Sequence, residues 1–549
     1  MASLDQNILV LGQKNAKHLL RRASFVYTKT LIDQYAVLTP NQALDLLLTT
    51  NPLAVQYPYD PLPTTAPDGQ WTESLTASAT SFSNQGRKNI MVSGWWWYNA
   101  INSPNLKYKM SHFLSTCFTV ESSGSGSATE FYDYIRLLLF YSYGNYKTLA
   151  KKMTLNNSML TYLNNTSNSK TAPNENYARE FLELFTIGKG PQIGIGNYTT
   201  YTEADIVQAA QVLTGFRRVS ARNVIDLDTN LPKGSNQFTL HHTSPKTFSS
   251  AFNNTVIAAA TSNIGMDTEL NDFVNMVFNQ LATAKNICRK LYIYFVKGTI
   301  TPEIERDIIS PLAQIFYTNG YELAPIIRKL LESQHFYDLD DSDATNETIG
   351  GIIKSPLQQI SEVCTYLQAT ISNPNTDQYN YYYKFWNLFA NNSFLTGANM
   401  ILFDPENVAG HPAYYQAPSF DKSWISASTL IARYRLGESL LDGKNRISGN
   451  ATIITQINIS TVIKTTNIIS VANDPYILTS ELCNALFAQN PDTSRVNHFM
   501  NSFLLQGYAN YYWTNVWNEY LTTGVNTVVE SRLKSLVTNI LRAPESQMF

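Results

Sequence analysis

Apolar residues return at three- and four-residue steps over most of this chain, the spacing that lays one apolar stripe along a helix. The opening segment keeps this period as far as Arg21 and Arg22. After a break at Phe25 to Thr28, a second helix is predicted over Lys29 to Tyr35. Thr39 and Pro40 then start a third over Asn41 to Leu48, because Thr is a good N-cap and Pro suits the first helical position. Between Asn51 and Ser83 the run YPYDPLPTTAPDG shows neither a helical nor a strand period and reads as a long surface excursion. In RKNIMVSGWWWYNAI, the residues Trp95, Trp96, Trp97 and Tyr98 step around the helix by ~100° each, so such a helix must be buried on nearly every side; an aromatic platform for a sugar or peptide is the alternative. Tyr379 to Trp386, with Tyr381, Tyr382 and Tyr383, repeats that ambiguity.

Helical patterning lapses from Val219 to Thr255, where Pro, Gly and Asn are scattered, and resumes at Glu269 through NDFVNMVFNQLATAKNICRKLYIYFV and TPEIERDIISPLAQIFYTNGYELAPIIRKLLESQHF. No internal repeat of fixed length is present. The pattern predicts an all-α, multi-helix globular protein with an irregular or short-strand insertion around 219–255. We expect a single unit over 1–549, with the acidic stretch Asp338 to Glu347 as the place where it would subdivide into 1–337 and 348–549.

The strongest local pattern is PNENYAREFLELFTIG, Pro173 to Gly188. Asn174 can cap, Glu175 favours the positive end of the helix dipole, and Gly188 can close the helix. Tyr177, Ala178, Phe181, Leu182, Leu184 and Phe185 take one side; Glu175, Asn176, Arg179, Glu180 and Glu183 take the other. Four-residue steps from Glu175 to Arg179 to Glu183 predict an arginine held between two carboxylates, either a solvated ion-paired face or a polar site. Downstream, Thr202-Glu203-Ala204-Asp205 resembles a capping box with Asp at its last position. It opens a helix through Leu213, after which Arg217 follows closely.

Composition narrows the function classes. The length of 549 residues allows three or four domains at ~150 residues each, and 44% hydrophobic and 12% aromatic residues guarantee a substantial core. Only 15% are charged, 40 basic against 42 acidic, so no global field exists to draw in a phosphate backbone and nucleic acid is not an expected partner. Cys117, Cys288, Cys364 and Cys483 lie far apart with no CxxC pair, and read as core thiols. Asp5 stands where a secretory leader should be basic, and no apolar run approaches the ~20 residues of a membrane span. A missing leader favours the cytoplasm, while the charge-poor, Asn- and Tyr-rich composition leans towards a cell envelope or export, so location stays open.

Candidate chemistry is sparse. Glu175 or Glu180 with His241 and His242 would suit a transition metal, but no HExxH pattern is present, and a loop histidine bonded to backbone is the competing reading. Asp226, Asp228 and Asn230 imitate the first half of a calcium loop, until Leu231 falls where a glycine must turn the chain. There is no GxSxG elbow, no cysteine beside an evident base and no Walker loop; GKGPQIGIGNY reads as a flexible connection. Glu180 and Glu183 would serve glycoside hydrolysis only at the right separation.

Several stretches carry a resemblance. NENYAREFLELFTIG with YTEADIVQAAQVLTGFR is similar to the signature of the domain-of-unknown-function 1800 family, a large bacterial family. HLLRRASF, WWWYNAINSPNLKYKM, GNYKTLAKKMTLNNSMLTYLNN, VAGHPAYY to WISASTLIARY near Trp424, and the closing RAPESQMF follow in the family's order. The resemblance implies a helical protein, often encoded beside a member of the domain-of-unknown-function 1501 family, which looks related to phosphatases and sulfatases and is commonly exported. Many members carry a stretch resembling Phe-Trp-His-Asn-His-Phe. Here it reads Phe113-Leu114-Ser115-Thr116-Cys117-Phe118, so both histidines are replaced, and His112 lies off register. In a second family-like spot, Phe238, His241, His242 and Lys246, His242 stands where the acid would be. We therefore expect a non-catalytic binding or scaffold protein acting with a second protein of that neighbouring type, through Asn174, Asn176, His242, Lys246 and Trp424, and no cofactor. The alternative is a hydrolase or metal-dependent enzyme acting on a carbohydrate or modified peptide through Glu175, Arg179, Glu180, Glu183, Arg217 and His241.

Overall fold

The computed structural model describes residues 2–62, 71–72, 84–340, 347–449 and 454–549. Among the described residues helices hold 57% and short strands and bridges only 5%, which makes the protein all-α. Local signals set many of the helix starts. Thr28 accepts a hydrogen bond from Leu31 N at the head of Lys29–Ala36, and Thr39 forms a full capping box with Gln42 ahead of Pro40–Leu47. Asn263–Phe278 begins at Ser262, six residues before the apolar period becomes visible, because the cap rather than the stripe sets its start.

The helix Gln85–Ile101 is the aromatic axis of the core. Trp95, Trp96 and Trp97 are at most 1% exposed, which overturns the platform reading. Burying three indoles strands three N–H donors unless each finds an acceptor. Trp95 donates to Val55 O, Trp96 to Ser111 Oγ and Trp97 to Ser361 Oγ. Trp97 packs on Trp386 of the π-helical segment Tyr379–Leu395, with ring centroids 5.3 Å apart, and Tyr381 and Tyr382 are buried there too. The 51–83 stretch is no mere surface excursion: Val55, Asp60 and Trp71 are buried, with Asp60 held by Arg87 and Lys88, while 63–70 and 73–83 lie outside the described residues.

Either side of the helix Glu203–Val212, short antiparallel pairs replace helix between Gly190 and Ile257. Phe216–Arg217 pairs with Ser235–Asn236, Ile225–Asp226 with Leu231–Pro232, and Lys246–Thr247 with Val256–Ile257. The run expected to be a flexible connection is instead a hairpin, Gln192–Gly194 on Asn197–Tyr198, turned by Gly196 at φ +70°. The two sides of the acidic 338–347 stretch share one apolar cluster running from Ala2 to Ala543 and are cross-tied by the buried pair Arg21 and Glu362 at 2.9 Å. Asp338 accepts from Thr348 N and Ile349 N across that stretch, of which 341–346 lie outside the described residues. All four cysteines are free and buried. Among the described residues no helix is long and apolar enough to cross a membrane.

Candidate functional site around Lys290

Four segments distant in sequence meet at one cavity of about 240 Å³. The helix Lys107–Cys117 brings Thr116 and Cys117 at its end. The signature helix Asn176–Glu180 continues into a π turn, Phe181–Phe185, and supplies Glu183. The segment around Pro412–Tyr415 supplies Tyr414 and Tyr415. The remaining wall is the helix Leu281–Phe295, whose Asn286, Lys290 and Tyr294 stand at four-residue steps and so share one face.

Aromatic contacts stiffen that wall. Tyr294 stacks on Tyr414 with centroids 5.6 Å apart and 28° between planes, and Trp424 packs on Tyr414 and His411. Behind Tyr294, His112 Nδ1 lies 2.9 Å from its hydroxyl. His112 and His411 together line a small chamber of about 20 Å³ that also contains Ser115. Burial pushes His112 down to about 3, helped by His411 and Lys109, and pushes His411 down to about 4, so both rings are neutral at pH 7. The two replaced family histidines therefore fall on cavity walls, Ser115 in the small chamber and Cys117 in the larger.

The larger cavity has uneven charge. Glu183 is paired to Lys189 and accepts from the Tyr201 hydroxyl at 3.2 Å. Burial raises the Cys117 thiol, which keeps it neutral. Lys290 donates to Leu184 O and has no carboxylate partner among the described residues, and burial holds its ammonium below the ordinary lysine range. An uncompensated cation at the wall of a tyrosine-lined cavity is a receptor for an anion. Nothing in the sequence singles out Lys290, one of three cations, with Lys285 and Arg289, on its helix.

The model of the family described as Protein of unknown function (DUF1800) matches residues 18–548. This chain belongs to that family. No curated protein and no solved structure matches it.

Apart from Glu183 and Leu184, the DUF1800 signature helix sits outside the cavity. Arg179 pairs with Glu175 at 3.3 Å as the spacing predicts, but its second partner is Glu203 at 2.8 Å, not Glu183. The π turn after Glu180 adds a residue to the helical circuit and carries Glu183 away from Arg179. Glu203 was read only as part of the capping box, which does form between Thr202 and Asp205. These side chains are 35–44% exposed and line none of the cavities described above. Asn174 does not cap the helix; its side chain closes a turn onto Asn176 N, and Glu175 occupies the cap position without a capping bond. The exposed Asn176 reaches back to Leu163 O at 3.3 Å. Glu180 is pushed up to about 7 by burial and the neighbouring Glu183.

His241 is not part of this surface. Its Nδ1 lies 2.8 Å from Thr214 O and its Nε2 3.1 Å from Glu269, whose other oxygen meets Lys246 at 2.5 Å, all three side chains being buried. Lys246 also donates to His242 O. This knot fastens the irregular insertion to the helix Asn263–Phe278, so Lys246 is not offered to a partner, and the metal set of Glu175 or Glu180 with His241 and His242 does not assemble. Among the described residues no group of three or more His, Cys, Asp and Glu could hold a metal. Arg217 donates to Asn168 O and Phe216 O and does not join the glutamates. Trp424, 3% exposed, packs against His411 and Tyr414.

Asp226, Asp228 and Asn230 form the turn between two short strands, and the cation they enclose is a side chain. Lys152 reaches both Asp226 oxygens at 2.8 Å and Asp228 at 2.7 Å. Asn230, at φ +59°, turns the chain by donating its N–H to Asp226 O. The calcium-like spacing is thus satisfied by an ammonium from 74 residues away.

Proposed function

We propose that this DUF1800 protein is a non-catalytic binding protein that takes an acidic group of a partner protein into the Lys290 cavity. The observation that carries the reading is that uncompensated ammonium among Tyr294, Tyr414 and Tyr415. A volume of about 240 Å³ falls short of the ~300 Å³ at which drug-sized pockets begin, and suits a single side chain or chain terminus. Neutral Cys117, neutral His112 and a Glu183 already paired to Lys189 leave no evident nucleophile and base in reach of one atom. A protein of the domain-of-unknown-function 1501 type is the partner we propose to test first.

Calorimetric titration with N-acetylglutamate and with its diamide tests the charge requirement. The acid should bind and the diamide should not, and Lys290→Met should weaken the acid by roughly tenfold or more. Equal binding of the two probes, or a wild-type-like Lys290→Met, rejects the reading. A candidate partner retained by the wild type and lost by Lys290→Met places the acidic group on a protein. Binding of the small acid with no retained partner would replace the scaffold with a small-acid receptor.

One observation favours a second reading. Glu180, held near 7 by burial and the neighbouring Glu183, has the protonation behaviour of a general acid, as a carbohydrate hydrolase requires. Glycan turnover that disappears in Glu180→Gln would establish it in place of the first.

A further inference from the structure

A second and larger cleft, of about 660 Å³, opens between the helix Tyr146–Thr154, the helix Asn263–Phe278 and the hairpin that follows Asp226. Its size is that of a small-molecule site. One wall carries Lys147 and Lys151, four residues apart and therefore on one helix face; the hairpin adds Lys233. The opposite wall carries Asp267, Asn271 and Asn275, again at four-residue steps. Leu155 and Leu231 are buried at its base.

The charge count inside the cleft does not cancel locally. Asp133 is closed off by Arg222, two bonds of 2.7 and 2.8 Å within the core. Asp226 and Asp228 are both drawn onto Lys152, whose single charge offsets one of the two carboxylates, and Lys233 stands near enough to Asp226 to offset the other. Among the described residues the Lys147 side chain makes no ion pair or hydrogen bond, Lys151 is met by Asp267 and Asp226 only at long range, and Lys233 stands 3.8 Å from Asp226. Burial with no contacting carboxylate holds both Lys147 and Lys151 below the ordinary lysine range. Four lysines, Lys147, Lys151, Lys152 and Lys233, therefore stand against three carboxylates, Asp226, Asp228 and Asp267, and the lining keeps one net positive charge, on the wall of Lys147 and Lys151.

The uncharged lining decides what else the ligand carries. Among the described residues the amides of Asn271 and Asn275 have no partner, and each is able to donate to and accept from hydroxyl groups. No aromatic ring lines the cleft, so stacking on a neutral sugar face is not available. A multiply charged anion on a polyhydroxylated body answers both walls, and lysines act as point charges on phosphate.

We infer that this cleft is a binding site for a phosphate monoester of a small polyol or sugar, its phosphate on Lys147, Lys151 and Lys233 and its hydroxyls on Asn271 and Asn275. The site is independent of the Lys290 cavity, and neither result decides the other.

The test is calorimetric titration of the full chain with three probes: glucose, its phosphate monoester and inorganic phosphate. The ester should bind more tightly than inorganic phosphate, and glucose should not bind at millimolar concentration. Lys147→Gln with Lys151→Gln should weaken the ester by at least about tenfold, and added salt should do the same. Asn271→Ala with Asn275→Ala should weaken the ester and leave inorganic phosphate unchanged, a split that general loss of structure would not produce. All four positions are at least partly exposed, so an unchanged circular-dichroism spectrum and Tm are expected in both double variants. No binding of the ester, glucose binding as well as its ester, or a lysine double variant that binds like the wild type overturns the site. Equal binding of ester and inorganic phosphate overturns the assignment of Asn271 and Asn275.

Discussion

Arg179 closes on Glu203 with two parallel bonds of 2.8 Å, tying the signature helix to the helix that follows it. Both side chains keep more than a third of their surface in water, so the pair is screened and its contribution is small despite the good geometry. Arg179→Ala combined with Glu203→Gln in a double-mutant cycle should give a coupling of about 0.5–1 kcal/mol by urea denaturation. A coupling several times larger would show that the two helices depend on this pair, and would contradict its exposed setting.

What could be read from sequence divides along the reach of the forces involved. Thr39 with Pro40, and Thr202 with Asp205, act within four residues, and their caps form as the spacing says. The Glu175, Arg179 and Glu183 row also uses local spacing, but it assumes an unbroken α-helix. A π turn, which only tertiary packing selects, reassigns Glu183 to Lys189 and leaves Arg179 to Glu203. The hairpin at Gln192–Gly194 was hidden because isoleucines and glycines at its tip mimic a loop; Ile195 is 99% exposed. The meeting of Cys117, Glu183, Lys290 and Tyr414 is set by how helices pack, and no periodicity along the chain records it.

Glu180 supplies a pH prediction. Its folded pKa, pushed up to about 7, lies above the ~4.3 of an unfolded glutamate. The folded state therefore holds the proton more tightly, and stability falls as pH rises from about 4 to about 7, with the full penalty present above that window. Glu180→Gln should be neutral near pH 4 and stabilising at pH 8. Because the carboxyl is partly exposed, the gain should be about 1 kcal/mol, well short of what a wholly buried group would show. Denaturation at the two pH values measures it, and a stabilisation that is the same at both would remove the titration argument.

Gly94 sets two effects against each other. Replacing a mid-helix glycine by alanine gains about 1 kcal/mol of helix propensity. A methyl at this position, however, would lie 2.6 Å from Cδ1 of Trp386. That indole is fully buried and donates to Ile90 O, so it cannot move aside cheaply. Overpacking of about 1–3 kcal/mol then outweighs the propensity gain, and Gly94→Ala should lower the Tm. In a Trp386→Phe background the same change should cost less; an equal cost in both would place the strain elsewhere.

The turn at Asp226 gives a prediction about cations. Two carboxylates and an asparagine are arranged as a divalent ion would want them, yet Lys152 is 14% exposed and fixed by three contacts of 2.7 to 2.8 Å. To bind calcium, the turn would have to expel that ammonium, losing charge-assisted bonds without gaining the six or more oxygens the ion needs. Millimolar calcium should accordingly leave the Tm of the wild type unmoved. Lys152→Met removes the resident cation and leaves Asp226 and Asp228 to repel each other, so this variant should be less stable in chelator and recover part of the loss when calcium is added. Recovery arises because any cation that binds the folded turn, and not the unfolded chain, shifts the equilibrium by mass action. A calcium-dependent Tm in the wild type would mean that the lysine does not own the site, and failure of calcium to help Lys152→Met would mean that the turn is held by its backbone bonds alone.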